Sequence, residues 1–195
     1  MKVNFVKTFI PAKDFVAVEK VGNKILVRFD AVKDADMDAY SCVEGSVSAS
    51  EYNEQEMRRE YEAWKQKWAE KALVLAKKAK IAEIAAYDTS DKVNGFMLNG
   101  LLVWLDKATR VGLMNSTTIA KASGQETTTL WLGGLKLVVD CDKAIQLLSA
   151  LEMYALECFN VTASHKQAVS ELTTIEEVEA YDYKAGYPKM LEMSV

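Results

Sequence analysis

Proline is scarce in this chain, two residues in 195, and neither proline nor glycine occurs between Glu51 and Asp88. Nothing in that stretch breaks a helix. Histidine is nearly absent: His165 stands alone, so no histidine-rich metal site or His-based nucleophile system can be assembled. The three cysteines, Cys42, Cys141 and Cys158, are odd in number and lack CxxC spacing, which excludes a disulfide framework and predicts buried free thiols in a reducing compartment. Positive charge is also short. A net charge of −4 and a pI near 5.2 argue against a nucleic-acid-binding surface, since phosphate neutralisation needs clustered Lys and Arg, so nucleic acid is not an expected partner. No apolar run approaches the roughly 20 residues of a membrane helix. The opening MKVNFVKTFIPAKDF places lysines and an aspartate where a signal peptide needs continuous apolar sequence. No membrane partner is expected, and the protein is expected in the cytosol where it is made.

Half of the residues are hydrophobic, enough for a core that needs no disulfides. The first part reads as three short strands at 3–9, 14–20 and 24–30, with Pro11 in the first connection and Gly22-Asn23 as the second turn. FVAVEKVGNKILVRF alternates as a half-buried meander does. Residues 30–50 are small and acidic without a period, and are expected to be a loop holding one strand near 40–47. A helix of about 35 residues follows, with Ser48 and Glu51 at capping-box spacing and Ser50 as another candidate cap.

Along that helix Met57, Tyr61, Trp64, Trp68 and Leu75 recur at near-heptad spacing. Two packings suit such a seam. Either it lies along the C-terminal helices with Trp64 and Trp68 as core anchors, or it projects and associates with other copies of the chain.

The C-terminal part repeats one plan. Two hairpins, turning at Asn99-Gly100 and at Gly133-Gly134, each lead through an aspartate cap (Asp106, Asp140) into a helix, 107–122 and 142–172. Gly124 closes the first helix, and Thr174 with Glu177 caps a short third one. The second helix carries a seam of Ala144, Leu148, Leu151, Ala155, Cys158, Thr162, His165, Val169 and Leu172. The echo between GLLVWLDKA and GLKLVVDCDKA fits an internal ββα duplication. The fold class is therefore α+β: a small antiparallel β module (1–47), a long coiled-coil-like connector helix (48–86), and a helical module with two β-hairpins (87–195).

Chemistry finds little to use. His165 on its seam reads as a packing residue. Asp88 and Asp91 around Thr89-Ser90 read as a turn, and the glycines at 95, 100, 133 and 134 sit in hairpins, not in a phosphate loop. Trp104 and Trp131 read as core. No catalytic, cofactor-binding or metal-ligating residue is expected, and no cofactor.

One stretch carries a resemblance. Tyr87-Asp88-Thr89-Ser90, Val93-Asn94-Gly95-Phe96, the run WLDKATRVGL at 104–113 and Leu130-Trp131-Leu132-Gly133-Gly134 are similar to the pattern of an uncharacterised C-terminal domain carried by tailed phages and prophages. The likeness covers about residues 81–190. It implies a structural protein of a phage tail, tail fibre or baseplate that docks other proteins without catalysis. The alternative is a tail-fibre assembly chaperone or adaptor that binds a fibre tip transiently. It further implies partners among other tail or fibre proteins and copies of the chain itself, as a trimer or another small oligomer. The location would be the host bacterial cytoplasm when made, and the virion tail if incorporated. Trp104, Asp106, Lys107 and Arg110, at the centre of the motif, become the candidate docking residues. Read structurally, Asp106 and Arg110 are a helix cap and a surface pair, and Arg110→Ala would then cost under about 1 kcal/mol.

Overall fold

The computed structural model describes residues 1–195 as an α+β chain with two compact units, Met1–Ala72 and Leu73–Val195. Helix α1 (Glu54–Asp88) contributes residues 54–72 to the first unit and 73–88 to the second. The chain thus divides inside the helix, whereas the sequence reading placed its boundaries at the helix ends.

The first unit is a four-stranded antiparallel sheet covered by α1. Its strands are β1 (Asn4–Pro11), β2 (Val18–Val21), β3 (Lys24–Asp34) and β4 (Ala39–Ser48), in the order β1-β4-β3-β2. The meander read from FVAVEKVGNKILVRF is present: β2 and β3 pair about the Gly22-Asn23 turn, β3 pairs on with β4, and β1 adds on the far side of β4. The expected loop from residue 30 is corrected: β3 runs on to Asp34 through a bulge after Phe29, with Asp30 at φ 48°. A bulge breaks the period-two pattern, which is why alternation stopped being readable there.

Val27, Phe29, Val43 and Val47 face Met57 and Tyr61 of α1 in one core. Phe29 stacks on Tyr61 with ring centroids 4.1 Å apart. The helix starts at Glu54, later than expected, because Asn53 is the residue that caps it: its side-chain oxygen accepts from the Glu56 N–H at 3.0 Å. Ser48 instead bonds Ser50. On the sheet, the nearly buried Arg28 side chain donates to Glu19, Glu44 and the Val16 carbonyl, tying three strands together.

Tyr61 donates to Asp30 at 2.8 Å, which holds the Asp30 carboxyl below its usual range, and Lys65 reinforces it. Removing that hydroxyl with Tyr61→Phe is expected to cost about 1 kcal/mol, since the bond is charge-assisted but Asp30 is half in water. Urea titration followed by tryptophan fluorescence would measure it. No change would mean that water replaces the bond fully.

The second unit follows the repeated plan closely. After α2 (Asp91–Asn94), β5 (Gly95–Leu98) and β6 (Leu101–Trp104) form the first hairpin, leading into α3 (Lys107–Ala122). Then β7 (Thr127–Leu132) and β8 (Leu135–Asp140) lead into α4 (Cys141–Glu171), and α5 (Ile175–Ala180) follows. Asn99 and Gly100 both have positive φ, the condition for a tight two-residue turn. Asp140 accepts from the N–H groups of Asp142 and Lys143, and Thr174 with Glu177 forms a complete capping box.

The α4 seam is the spine of this unit. Ala144, Leu148, Leu151 and Cys158 are buried against Phe96, Leu98, Val103, Leu130 and Leu132 from the two hairpins. Farther along, Val169 packs with Ile84 of α1 and Val178 of α5. One strand is absent from the sequence reading: β9 (Leu191–Met193) pairs in parallel with β5, giving a three-stranded sheet ordered β6-β5-β9. Trp131 is also corrected, because it is exposed on the β7–β8 ribbon with Lys136 over its ring.

Candidate functional site

The first expectation to meet the structure is the seam of α1, and it divides. Met57 and Tyr61 are buried under the chain's own sheet, and Trp64 packs partly buried on Phe5. Trp68 and Leu75 are exposed, Leu75 at 57%. Lys7 lies 3.5 Å from the centre of the Trp68 ring. The five residues do not form one free stripe, since three of them complete the core of the first unit.

The four candidate docking residues, by contrast, come together. Trp104, Asp106, Lys107 and Arg110 all line one cleft of about 380 Å³ in the second unit. Its opposite wall is α4, through Glu152, Leu156 and Phe159, and its floor includes Asp88 and Asn94. Trp104 and Phe159 are 39% and 58% exposed, and Leu156 is exposed beside them, so the walls are apolar and open. Trp104, first read as core, belongs to this mouth.

Asp106 and Arg110 at the cleft are each held by other groups of the chain. Asp106 caps α3: one oxygen accepts from the Thr109 N–H at 2.8 Å and the other from the Thr109 hydroxyl at 2.6 Å. The Thr109 hydroxyl, and then its N–H, keep the Asp106 carboxyl below its ordinary range. The expected pairing of Asp106 with Arg110 does not occur. Arg110 is only 8% exposed and turns inward, donating to Glu152 at 2.8 Å and to the Leu105 carbonyl at 2.8 Å. A buried guanidinium satisfied by a partner one helix away is a different object from a surface pair.

A depressed carboxyl sets the sign of a pH test. The Asp106 cap is present above the unfolded carboxylate pKa of about 4 and is lost as pH falls through its lower folded value. Asp106→Ala should therefore melt below the wild type from neutral pH down to about 5, with the gap closing below about 4. A gap independent of pH would remove the carboxylate from the explanation.

Beneath the cleft the hydrogen bonds are closed. The Asn94 side chain donates to the Asp88 carbonyl, and Thr162 donates to the Asp88 carboxylate at 2.7 Å. With the Thr162 proton committed, the Tyr187 hydroxyl must donate to Thr162 at 2.9 Å. Tyr154 and Cys158 both donate to the Val93 carbonyl, and burial pushes the Cys158 thiol up, away from thiolate character. His165 lies between the Tyr181 hydroxyl and the Ala185 carbonyl as a packing residue. No three His, Cys, Asp or Glu side chains converge as a metal site would require.

Sequence reasoning missed the α4 wall. Its signal was readable: Glu152, Leu156 and Phe159 follow the seam residues Leu151, Ala155 and Cys158 by one position each, and two of them are large and apolar. A buried seam edged by exposed apolar residues marks a second contact on the same helix.

The fold and the cleft define an α+β chain with a twice-repeated hairpin–helix unit gathered on α4, carrying an open apolar cleft. Residues 75–185 match the family described as Domain of unknown function (DUF4376), and the chain belongs to that family. The match lies within the second unit and takes in the cleft. No curated protein and no solved structure matches the chain. No helix is long and apolar enough to cross a membrane.

Proposed function

We propose that this chain is a structural protein of a phage or prophage tail, tail fibre or baseplate, acting by docking a neighbouring protein and not by catalysis. The observation that carries the reading is the gathering of Trp104, Asp106, Lys107 and Arg110 at one cleft with exposed apolar walls. Such a cleft suits an inserted apolar side chain with a polar rim around it. The resemblance of residues 81–190 to a phage-borne domain supplies the setting: synthesis in the bacterial cytoplasm, then incorporation in the tail.

A second reading, the transient assembly chaperone, has its own support. The cores of both units close within the single chain, as a protein stable without its partner requires. Quantitative mass spectrometry of virions from an induced host separates the two. Stoichiometric retention in washed particles is expected for a tail component. Absence from particles, with the chain bound to a fibre protein in the lysate, would favour the chaperone. Absence from both would overturn either reading.

A further inference from the structure

Strand β6 is the edge of its sheet and pairs with β5 alone. Its sequence is Leu101-Leu102-Val103-Trp104, without charge, proline or bulge. Edges that stay unpaired are commonly blunted by one of those devices.

The turn fixes which backbone groups are free. With a two-residue loop, Leu98 and Leu101 form a hydrogen-bonded pair, and bonded and non-bonded pairs alternate from there. Leu102 and Trp104, opposite Met97 and Gly95, are then non-bonded positions, and their N–H and C=O groups point away from β5. The same two side chains are exposed, Leu102 at 53%, while Val103 between them is buried in the core. Outward backbone groups and outward apolar side chains thus fall on the same two residues.

We infer that β6 pairs with the β6 of a second copy of this chain, antiparallel about a two-fold axis through Val103. The register is self-complementary. Leu102 of one copy meets Trp104 of the other, twice over, and each such pair exchanges two backbone hydrogen bonds. The side chains that meet are leucine on tryptophan, a favourable cross-strand pair. At each end Gly100 of one copy falls opposite Asp106 of the other, so no like charges meet. Two three-stranded sheets become one of six strands, ordered β9-β5-β6-β6-β5-β9. A heterologous strand would satisfy the same backbone groups, but the edge itself already presents the complement it needs.

Light scattering coupled to size exclusion on the full chain tests this. An interface of two short edges is small, so association in the micromolar range is expected. At about 100 µM the wild type should run at twice the 21.7 kDa chain mass, falling to one chain mass on dilution. Leu102→Pro removes an N–H that the hairpin does not use, and Leu102→Glu puts a charge into the apolar strip. Both should weaken association by at least about tenfold with an unchanged far-UV spectrum. Should the proline variant misfold, amide hydrogen exchange on the wild type reads the same contact. The Leu102 and Trp104 amides should gain protection as concentration rises. A wild type that stays monomeric at about 100 µM, a dimer that survives in folded Leu102→Glu, or concentration-independent exchange at both amides would each overturn the inference.

Discussion

Gly95→Ala is expected to destabilise the second unit by at least about 3 kcal/mol. Its backbone is ordinary extended chain at φ −72°, so the effect does not come from strain in the dihedrals. It comes from crowding. A Cβ at Gly95 would lie well inside van der Waals contact of the Asp91 carbonyl oxygen, the same oxygen that accepts the Gly95 N–H. Backbone cannot rotate out of the way as a side chain can. Relief requires moving the α2 turn, and that turn holds Val93, whose carbonyl receives the Tyr154 and Cys158 bonds. The next residue, Phe96, is wholly buried in the main core. Gly112→Ala supplies the contrast. Gly112 lies within α3 with open space where its Cβ would go, so alanine there should be neutral or stabilise by up to about 1 kcal/mol. Denaturant unfolding of both variants by circular dichroism checks the pair. Equal effects would show that the Asp91 contact does not decide the outcome.

Arg110→Ala should cost about 3 kcal/mol, several times what a surface pair would cost. Truncation leaves the Leu105 carbonyl without its donor and the partly buried Glu152 carboxylate without its counter-charge. Because Glu152 keeps about a third of its side-chain exposure, the penalty falls at the lower end for buried pairs. Arg110→Lys should restore less than half of the loss, since one ammonium cannot replace a fork that reaches an acid and a carbonyl in different directions. A double-mutant cycle with Glu152→Ala isolates the pair, with an expected coupling of about 1–2 kcal/mol. A loss below about 1 kcal/mol for Arg110→Ala would return the residue to the surface role first read from the sequence.

That contrast shows which parts of the molecule are legible before folding. The hairpin turns, the Asp106 and Asp140 caps, the Thr174–Glu177 box and the α4 seam are local signals, each within a few residues, and all appear where the spacing put them. Apart from the α1 cap, which falls at Asn53 and not at Ser48, and the bulge after Phe29, the misreadings are matters of distant pairing. Arg110 stands four residues after Asp106 but takes Glu152, 42 positions away. Strand β1 pairs with β4, beyond β2 and β3 in the sequence, and β9 finds β5 from across the unit. Local chemistry offers Arg110 a partner, and tertiary packing replaces it. The cleft was half visible for the same reason: the contiguous β6–α3 wall lay in one motif, while the α4 wall had to be brought to it.

The parallel strand β9 also bears on the order in which the second unit assembles during synthesis. Val195 donates to the Asn99 side chain across 96 positions, and Leu191–Met193 completes the sheet that β5 and β6 begin. The first unit draws its sheet and covering helix from one stretch, Met1–Ala72. It can therefore close while the later residues are still being made. The β5–β6 hairpin must wait with one side of β5 unpaired, a state of high loop-closure cost and exposed strand edge. A ribosome-bound chain thus carries a finished sheet ahead of an unfinished one, and the wait of the second sheet is set by the speed of translation from α3 through α5.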